Sequence, residues 1–386
     1  MFGLAGSEAD LVDSVIRQLS AMSTDIFCKV IDNYGDIGVC WRLAQQLTAR
    51  KESVRLVVDD MSALTWMAGD SVQSRLIEVI AWQDAKKIET PADLVIESFG
   101  CELPDSYIAK MARQATLVKA SHWVNLEYLS AEPYAEACHL LPSPVMQGAG
   151  KGLTKTFFYP GFTHKTGGLL RELDLTQRQA AFDKAAWLQA QGIEWQAEGR
   201  ERIVSLFCYE PTALPALLAE LQASDQSTLL LVTAGRASQA TKGLQPSVAL
   251  QALPNKALRI HYLPYLAQDD YDHLLWASDF NFVRGEDSLV RAIWAGKPFV
   301  WQIYPQDDAA HHAKLEAFLD VYLKNADAST AGHIRAAHLM WNDINDLPNR
   351  PVSRILLGLH EWQAASRKRR DLWANQLDAV SQLLSA

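Results

Sequence analysis

The sequence lacks several features that would assign it to a class at once. No CxxC pair occurs among its five cysteines, so neither a zinc finger nor a disulfide framework is indicated, and we expect buried thiols in a reducing compartment (Cys28, Cys40, Cys101, Cys138 and Cys208). No run of about 18 apolar residues is present, which argues against a membrane-spanning helix. Walker loops and GxSxG elbows are also missing.

Positive charge is scarce as well. The chain has 36 Lys and Arg against 45 Asp and Glu, a formal net charge of −9. This balance argues against a protein that coats nucleic acid, whose phosphates require a basic surface, but it suits a cationic partner. The basic run at 367–370 is expected to be a solvated helix face, with a patch for an acidic partner as the alternative.

The first residues, MFGLAGSEADLVDSVIRQLSAM, carry acidic side chains and no basic segment before an apolar core. They do not resemble a signal peptide, and we predict a cytoplasmic protein. Residues 1–24 form an extension whose status the sequence leaves open: a short amphipathic helix or an over-long start assignment.

What is present points to an α/β fold of two domains. The chain has 386 residues, 49% of them apolar, and domains usually have about 150 residues. A strand (25–31), a loop (32–38), a helix and a second strand (53–60) give the βαβ order of a parallel sheet. Further strands are predicted at 76–82, 92–100 and 115–121.

A second series of strands follows a Pro- and Gly-rich segment, 139–168, which we expect to be irregular. The second-series strands are predicted at 202–210, 227–235, 257–266, 278–287 and 297–305. We therefore expect two Rossmann-like domains, at 25–170 and 171–360. Residues 361–386 are expected to form a C-terminal helix that packs back on the first domain.

The loop from Asp32 to Gly38 (DNYGDIG) is the first candidate site, because it follows a strand and opens a helix. Gly35 and Gly38 allow a tight turn and close approach of the backbone to a ligand. The carboxylates of Asp32 and Asp36 could converge on one substrate group. The alternative is that both only cap the turn and the helix.

The second candidate is Arg284-Gly285-Glu286-Asp287-Ser288, again between a strand and a helix. Free N–H groups and the positive end of the dipole let a helix N-terminus hold phosphate, and Arg284 and the Ser288 hydroxyl would add donors. A capping box with Ser or Asp as N-cap is the alternative. A helix start can have such a cap and also bind phosphate, so the two interpretations are compatible.

Aromatic side chains recur at the strand ends of the second series. They could form a wall on which a nucleobase or sugar stacks, although one aromatic at a strand end is usually core or rim. The group comprises Phe207, Tyr209, Tyr262, Tyr265, Tyr271 and Tyr304. Gln268 offers an amide that can pair with a base edge.

Adjacent carboxylates do not indicate a metal site here. The pairs Asp59-Asp60 and Asp269-Asp270 have no third ligand at useful spacing, and neighbours on a strand point to opposite faces, so turn or cap roles are favoured. For His311-His312 a helix start is simpler than metal binding. We predict no metal and no resident cofactor.

Several long strings resemble a known family, the bacterial protein-arginine rhamnosyltransferases that modify elongation factor P. The resemblance runs from about Asp25 to the C-terminus. It is carried by IFCKVIDNYGDIGVCWRLAQQL, SHWVNLEYLSAEPY, FFYPGFTHKTGGLLRE, SLFCYE and FVRGEDSLVRAIWAGKPFVWQIYPQ.

The resemblance implies a GT-B glycosyltransferase with two Rossmann-like domains facing each other across a cleft. It implies inverting transfer of L-rhamnose from dTDP-β-L-rhamnose to an arginine of elongation factor P, which is thereby activated for rescue of ribosomes stalled at polyproline. No metal, nucleic acid or membrane would be involved.

Site residues follow from the same resemblance. Asp36 is expected to be the general base and Asp32 its essential neighbour, with Asn33 and Gly35 bringing backbone close to the ligand. Glu286 is also assigned to catalysis. The donor would be bound by Phe207, Tyr209, Tyr265, Gln268, Tyr271, Arg284, Asp287, Ser288 and Tyr304.

Two other functions stay open from the residues alone. One is a nucleotide-sugar transferase or epimerase with a small-molecule substrate. The other is a binding module on a degenerate scaffold, which the presence of both Asp32 and Asp36 beside 284–288 disfavours.

Overall fold

Strands and helices alternate along both halves of the chain. The structure is a computed structural model that describes residues 22–30, 34–195, 201–244, 257–305, 310–344 and 351–385. By compactness it divides into two units. Unit 1 comprises the described parts of Met1–Ala63, Asp70–Glu127 and Leu140–Phe158, and unit 2 those of Leu64–Gly69, Tyr128–His139 and Tyr159–Ala386.

Unit 1 is built on one sheet. Its strands are β1 (Ser23–Cys28), β2 (Ser53–Val58), β3 (Glu78–Ala81), β4 (Leu94–Ser98), β5 (His122–Leu126), β6 (Pro142–Pro144) and β7 (Thr154–Phe158). Its helices are α1 (Gly35–Ala49), α3 (Val72–Leu76) and α4 (Asp105–Leu117), with a 3₁₀ turn at Trp82–Lys87. The strand order is β3-β2-β1-β4-β5-β7-β6, and every pairing is parallel except that of β6 with β7.

Two predictions for this unit are wrong. Residues 115–121 are not a strand: they hold the end of α4 and the turn after it, and β5 begins only at His122. Leu117 and Val118 are 69% and 87% exposed, so this short apolar run faces solvent, and its letters alone do not distinguish a helix end from a strand.

The segment 139–168 is likewise not wholly irregular, since β6 and β7 lie in it and complete the sheet. Prolines 142 and 144 are tolerated because β6 is the edge strand, where an N–H can be missing without loss of a central ladder bond.

Unit 2 contains a second parallel sheet. Its strands are β8 (Arg202–Leu206), β9 (Thr228–Val232), β10 (Leu258–Tyr262), β11 (Phe280–Arg284) and β12 (Phe299–Gln302), in the order β10-β9-β8-β11-β12. Its helices are α2 (Leu64–Met67), α5 (Pro133–Cys138), α6 (Leu175–Ala181), α7 (Lys184–Ala190), α8 (Leu214–Gln222), α9 (Arg236–Leu244), α10 (Gln268–Ala277), α11 (Glu286–Ala295), α12 (Ala310–Tyr322), α13 (Ala328–Trp341), α14 (Leu359–Ala374) and α15 (Ala379–Ser385), with a 3₁₀ turn at Val352–Leu356.

The C-terminal helices pack on the segment that follows the first sheet. Ala379 N donates to the carbonyl of Leu169 at 3.0 Å, and the rings of Phe162 and Trp373 lie 5.1 Å apart. By sequence, residues 162–169 end the first predicted domain, whereas by compactness they belong to unit 2. The boundaries at 170 and 360 stay predictions.

Each sheet has one point where the strand order reverses, between β1 and β4 in unit 1 and between β8 and β11 in unit 2. Open parallel sheets bind ligands outside the carboxyl ends of their strands at such points. The loop after β1 leads to Asp36, and the turn after β11 contains Gly285. The start of α1, with Asp36, and the turn at Gly285 therefore lie where this fold places a ligand.

Candidate active site

Asp36 is the second residue of α1 in unit 1, where the positive end of the helix dipole favours a carboxylate. The N-cap is Tyr34, with no side-chain cap bond, and its carbonyl accepts from Gly38 N at 3.0 Å. Asp36 is therefore not the N-cap of this helix, which is the alternative considered from the sequence. Asp32 and Asn33 lie outside the described residues.

The surroundings of Asp36 include a buried thiol pair. A hydrogen bond with Cys40 is the main cause that raises the pKa of Cys28, followed by burial and by the charges of Cys40 and Asp36. Cys28 ends β1 and Cys40 lies on α1, so the Asp36 carboxylate is close to the junction of strand and helix. Gly35 is exposed, and a Cβ placed on it would meet no heavy atom within 4 Å. The backbone there is open on one side.

In unit 2, the turn between β11 and α11 depends on Gly285. Its φ of 68° and ψ of 176° lie in a region that essentially only glycine adopts. Gly285 is the N-cap of α11 and has no side chain that could cap the helix, and a helix start carries the positive end of the dipole, which favours an anion.

Arg284 lies beside this helix start and stacks on two rings of the proposed aromatic wall. Its guanidinium carbon is 4.6 Å from the ring centre of Phe207 and 4.4 Å from that of Tyr209. Burial is the main cause that lowers the Arg284 pKa, and nearby Arg236 lowers it further. Its buried Nη1 has no hydrogen-bond partner among the described residues, which is the arrangement expected of a group that receives an anion.

Ser288 and Asp287 both contact other parts of the protein, and their role in donor binding stays a prediction. The Ser288 hydroxyl donates to the carbonyl of Arg284, and Gly285 rather than Ser or Asp is the N-cap of α11. Asp287 accepts from Arg291 Nε at 2.7 Å, and Arg291 Nη1 also donates to Asp272 at 2.9 Å. Arg291, held by Asp287 on its own helix, thus joins α11 to Asp272 on α10.

Glu286, the first residue of α11, is held from two sides. One carboxylate oxygen accepts from Lys314 Nζ at 2.6 Å and the other from Leu129 N at 2.8 Å. Burial alone would lower the Lys314 pKa, but the charge and hydrogen bond of Glu286 outweigh it and raise that pKa above its usual range. Glu286 therefore joins three separate segments of unit 2: its own helix, the helix of Lys314 and the segment at Leu129.

The structure brings four of the aromatic residues together in two edge-to-face pairs. Phe207 lies 5.5 Å from Tyr271, and Tyr209 lies 5.4 Å from Tyr304. Tyr304 and Tyr265 remain 42% and 53% exposed, and the ring of Tyr265 also lies 4.8 Å from that of Trp66. Gln268 is buried at the start of α10, which leaves its role in base pairing a prediction.

Sequence reasoning missed three charged residues that the fold adds to this edge: Arg236, Lys314 and Arg291. Arg236 lies over Tyr209 at 4.9 Å and pairs with Glu210. It follows Gly235 just after β9, so the pattern of glycine after a strand could have indicated it. Lys314 and Arg291 are internal to helices and give no such signal.

The described ranges hold no group of three or more His, Cys, Asp or Glu side chains arranged to bind a metal ion. Asp59 and Asp60 instead accept backbone N–H bonds from Val30 and Ser62. Within the same ranges, no helix is long and apolar enough to cross a bilayer.

Two parallel α/β sheets, each with a candidate ligand turn at the carboxyl ends of its strands, are the architecture of GT-B glycosyltransferases, the class that the comparisons support. The calicheamicin glycosyltransferase CalG4 shares this fold, with a TM-score of 0.50 at 14% identity over 95% of this chain and 97% of its own. The predicted fold class, enzyme class and family resemblance are confirmed by the comparisons.

The chain belongs to the EarP family, described as elongation factor P (EF-P) rhamnosyltransferases, whose model matches residues 24–386. The protein-arginine rhamnosyltransferase of Pseudomonas aeruginosa is 45% identical over 335 residues, 83% of this chain and 87% of that protein. That of Shewanella oneidensis is 36% identical over 393 residues, covering 92% and 96%. A solved EarP structure, described as the basis of arginine glycosylation of EF-P, matches with a TM-score of 0.64 at 30% identity, covering 94% of this chain and 98% of that one.

Proposed function

We propose that this enzyme transfers L-rhamnose from dTDP-β-L-rhamnose to one arginine side chain of elongation factor P, with inversion at the anomeric carbon. The observation that carries the proposal is the family match over residues 24–386. Unit 2 would bind the donor and unit 1 the acceptor arginine.

The donor side is supported by the charge arrangement after β11. The diphosphate leaving group needs N–H donors and positive charge, which the start of α11 and Arg284 offer. Phe207 and Tyr209 hold Arg284 by stacking, so this guanidinium is ordered before the ligand arrives. Thymine or sugar would stack on the exposed rings of Tyr265 and Tyr304.

The acceptor side poses a chemical problem, because a guanidinium has a pKa above about 12 and no free lone pair. An ordinary carboxylate, with a pKa of about 4, cannot deprotonate it in a separate equilibrium. We infer that Asp32 and Asp36 orient the guanidinium and concentrate electron density on one nitrogen. That nitrogen forms a bond to C1 as the bond from C1 to the diphosphate oxygen breaks, dTDP leaves with the electron pair, and Asp36 takes the proton during or after attack.

The test is incubation of the enzyme with elongation factor P and dTDP-β-L-rhamnose, followed by mass spectrometry of the acceptor. We expect a gain of one deoxyhexose on one arginine, and NMR of the product should show the α anomer. A product with the β anomer would contradict inversion, and no gain of mass would contradict the acceptor. Transfer to a small molecule would favour the alternative enzyme.

The Asp36→Asn variant should bind dTDP within about twofold of the parent enzyme and lose at least a thousandfold in turnover, because general-base catalysis contributes about 10²–10⁴ and orientation is also impaired. Asp84→Asn, at a partly exposed aspartate of the same unit, serves as control and should keep full turnover. Near-normal turnover of Asp36→Asn would exclude Asp36 as the base.

A further inference from the structure

Three polar side chains of unit 1 gather at the carboxyl ends of β4 and β5, and none of them belongs to the residues assigned from sequence. Glu97 on β4 lies opposite Asn125 on β5 in the strand register. Asn125 Nδ2 donates to Glu127 Oε1 at 2.5 Å, one residue beyond the end of β5. Glu97 and Asn125 are only 2% and 4% exposed, whereas Glu127 is half-buried just after the carboxyl end of β5.

The two carboxylates are compensated unequally. Both oxygens of Glu97 lie 3.1–3.3 Å from Lys155 Nζ, and one of them also accepts from Trp123 Nε1 at 3.1 Å. Glu127 has no cation within salt-bridge distance in the described part of the chain. Burial raises the pKa of Glu127 and the charge of Glu97 raises it further, while the Asn125 hydrogen bond and the more distant charge of Lys155 oppose them without cancelling the rise.

The amide oxygen of Asn125 is the second sign of a missing ligand. It is buried and accepts no hydrogen bond from any described residue. A buried polar atom of this kind costs about 1–3 kcal/mol when it stays unpaired, so native proteins usually provide a partner. The amide that carries this oxygen also contacts the Glu127 carboxylate, so both groups belong to one cluster.

The chemistry of the cluster restricts the ligand. The Oδ1 of Asn125 and a carboxylate are both acceptors, so a group that donates to two acceptors at once suits them, and a positively charged one also compensates Glu127. A guanidinium has five N–H donors in a rigid plane and fits this better than an ammonium, which is a compact point charge.

We infer that Glu127 and Asn125 form a binding subsite for the guanidinium of the acceptor arginine; this rests on the function proposed above. Glu127 supplies the charge and one acceptor, Asn125 supplies the second, and Glu97 with Lys155 holds the strand ends behind them. Glu127 and Asn125 then add to the orientation of the guanidinium that Asp32 and Asp36 provide, and Asp36, in the same unit, takes the proton.

The test is a double-mutant cycle on binding. The enzyme and its Glu127→Gln variant are each titrated, in the presence of dTDP, with elongation factor P and with elongation factor P in which the modified arginine is replaced by alanine. Removing the arginine should weaken binding to the parent enzyme at least tenfold but binding to Glu127→Gln less than threefold. Asn125→Leu, which keeps the volume but lacks the oxygen, should give the same result.

Glu89→Gln, at an exposed carboxylate of the same unit, is the control and should behave as the parent enzyme does. Glu127→Gln should keep both its dTDP affinity and its thermal midpoint, because it removes a half-buried charge that faces another carboxylate. Equal arginine dependence in parent and variant would overturn the subsite while leaving the transferase intact. Failure of the parent enzyme to modify any arginine would overturn both.

Discussion

At the scale of single residues, Lys314 on α12 holds the carboxylate of Glu286, the first residue of α11, to which a catalytic role is assigned. Replacement by methionine would leave the mostly buried carboxylate with Leu129 N as its remaining described partner. Loss of a charged partner for such a group costs about 2 kcal/mol. We therefore expect Lys314→Met to lose at least tenfold in kcat/KM for the donor, and Lys314→Arg to recover most of it.

Steady-state kinetics with varied dTDP-β-L-rhamnose, together with thermal melting, checks this positioning role. Lys87→Met, which breaks an exposed ion pair with Asp84, is the control and should change neither measurement appreciably. A Lys314→Met enzyme that melts earlier yet keeps its kcat/KM would show a structural role alone.

At the scale of elements, α10 and α11 are joined through one buried guanidinium. Arg291 is 3% exposed and contacts both Asp287 and Asp272, and these carboxylates together raise its pKa well above the usual range even though burial opposes them. Removing one partner of a buried ion pair costs about 3–5 kcal/mol because the remaining charges stay desolvated.

Arg291→Met should accordingly lose about 3–5 kcal/mol in the free energy of unfolding, measured by urea denaturation, and should bind dTDP more weakly because α11 shifts. The matched control is Arg335→Met, whose ion pairs with Glu316 and Asp320 are nearer the surface and should contribute less than about 1 kcal/mol. A loss below 1 kcal/mol for Arg291→Met would show that packing alone joins the two helices.

At the scale of the whole molecule, stability should depend on a single buried histidine. His338 is fully buried, its Nδ1 lies 2.9 Å from the carbonyl of Ile334, and burial lowers its pKa to about 4. The unfolded chain has a histidine pKa of about 6.5, so the folded state favours the neutral ring. The free energy of unfolding is therefore unaffected by this histidine above pH 6.5 and falls as the pH drops from about 6.5 to about 4, by about 3 kcal/mol in total.

Urea unfolding of the parent protein and of His338→Phe at several pH values between 7 and 4 measures this contribution. The difference between their unfolding free energies should change by about 3 kcal/mol over that range, while other titrating groups cancel. His360→Gln, at a 95% exposed ring, should follow the parent curve. A constant difference between parent and His338→Phe would contradict the assignment.

Much of the fold could be read from the sequence because its strands are nearly continuous apolar runs, as buried parallel strands require. All five strands of the second sheet fall inside the predicted ranges. The misassigned strand at 115–121 failed for a physical reason: exposure of Leu117 and Val118 depends on how α4 packs. The tryptophans mostly serve packing, since nine of the 12 are buried in cores, Trp41, Trp341 and Trp362 among the most deeply.

By itself the sequence determined the α/β class, the family, and the loops that carry Asp36 and Gly285, because these depend on local patterns and on motif strings. Only the tertiary structure decided what the charged side chains do. Ser288 donates to a backbone carbonyl, Lys314 holds Glu286, and the oxygen of Asn125 accepts from no residue in the described ranges. Each of these outcomes depends on side-chain orientation or on segments far apart in sequence, which spacing along the chain does not encode.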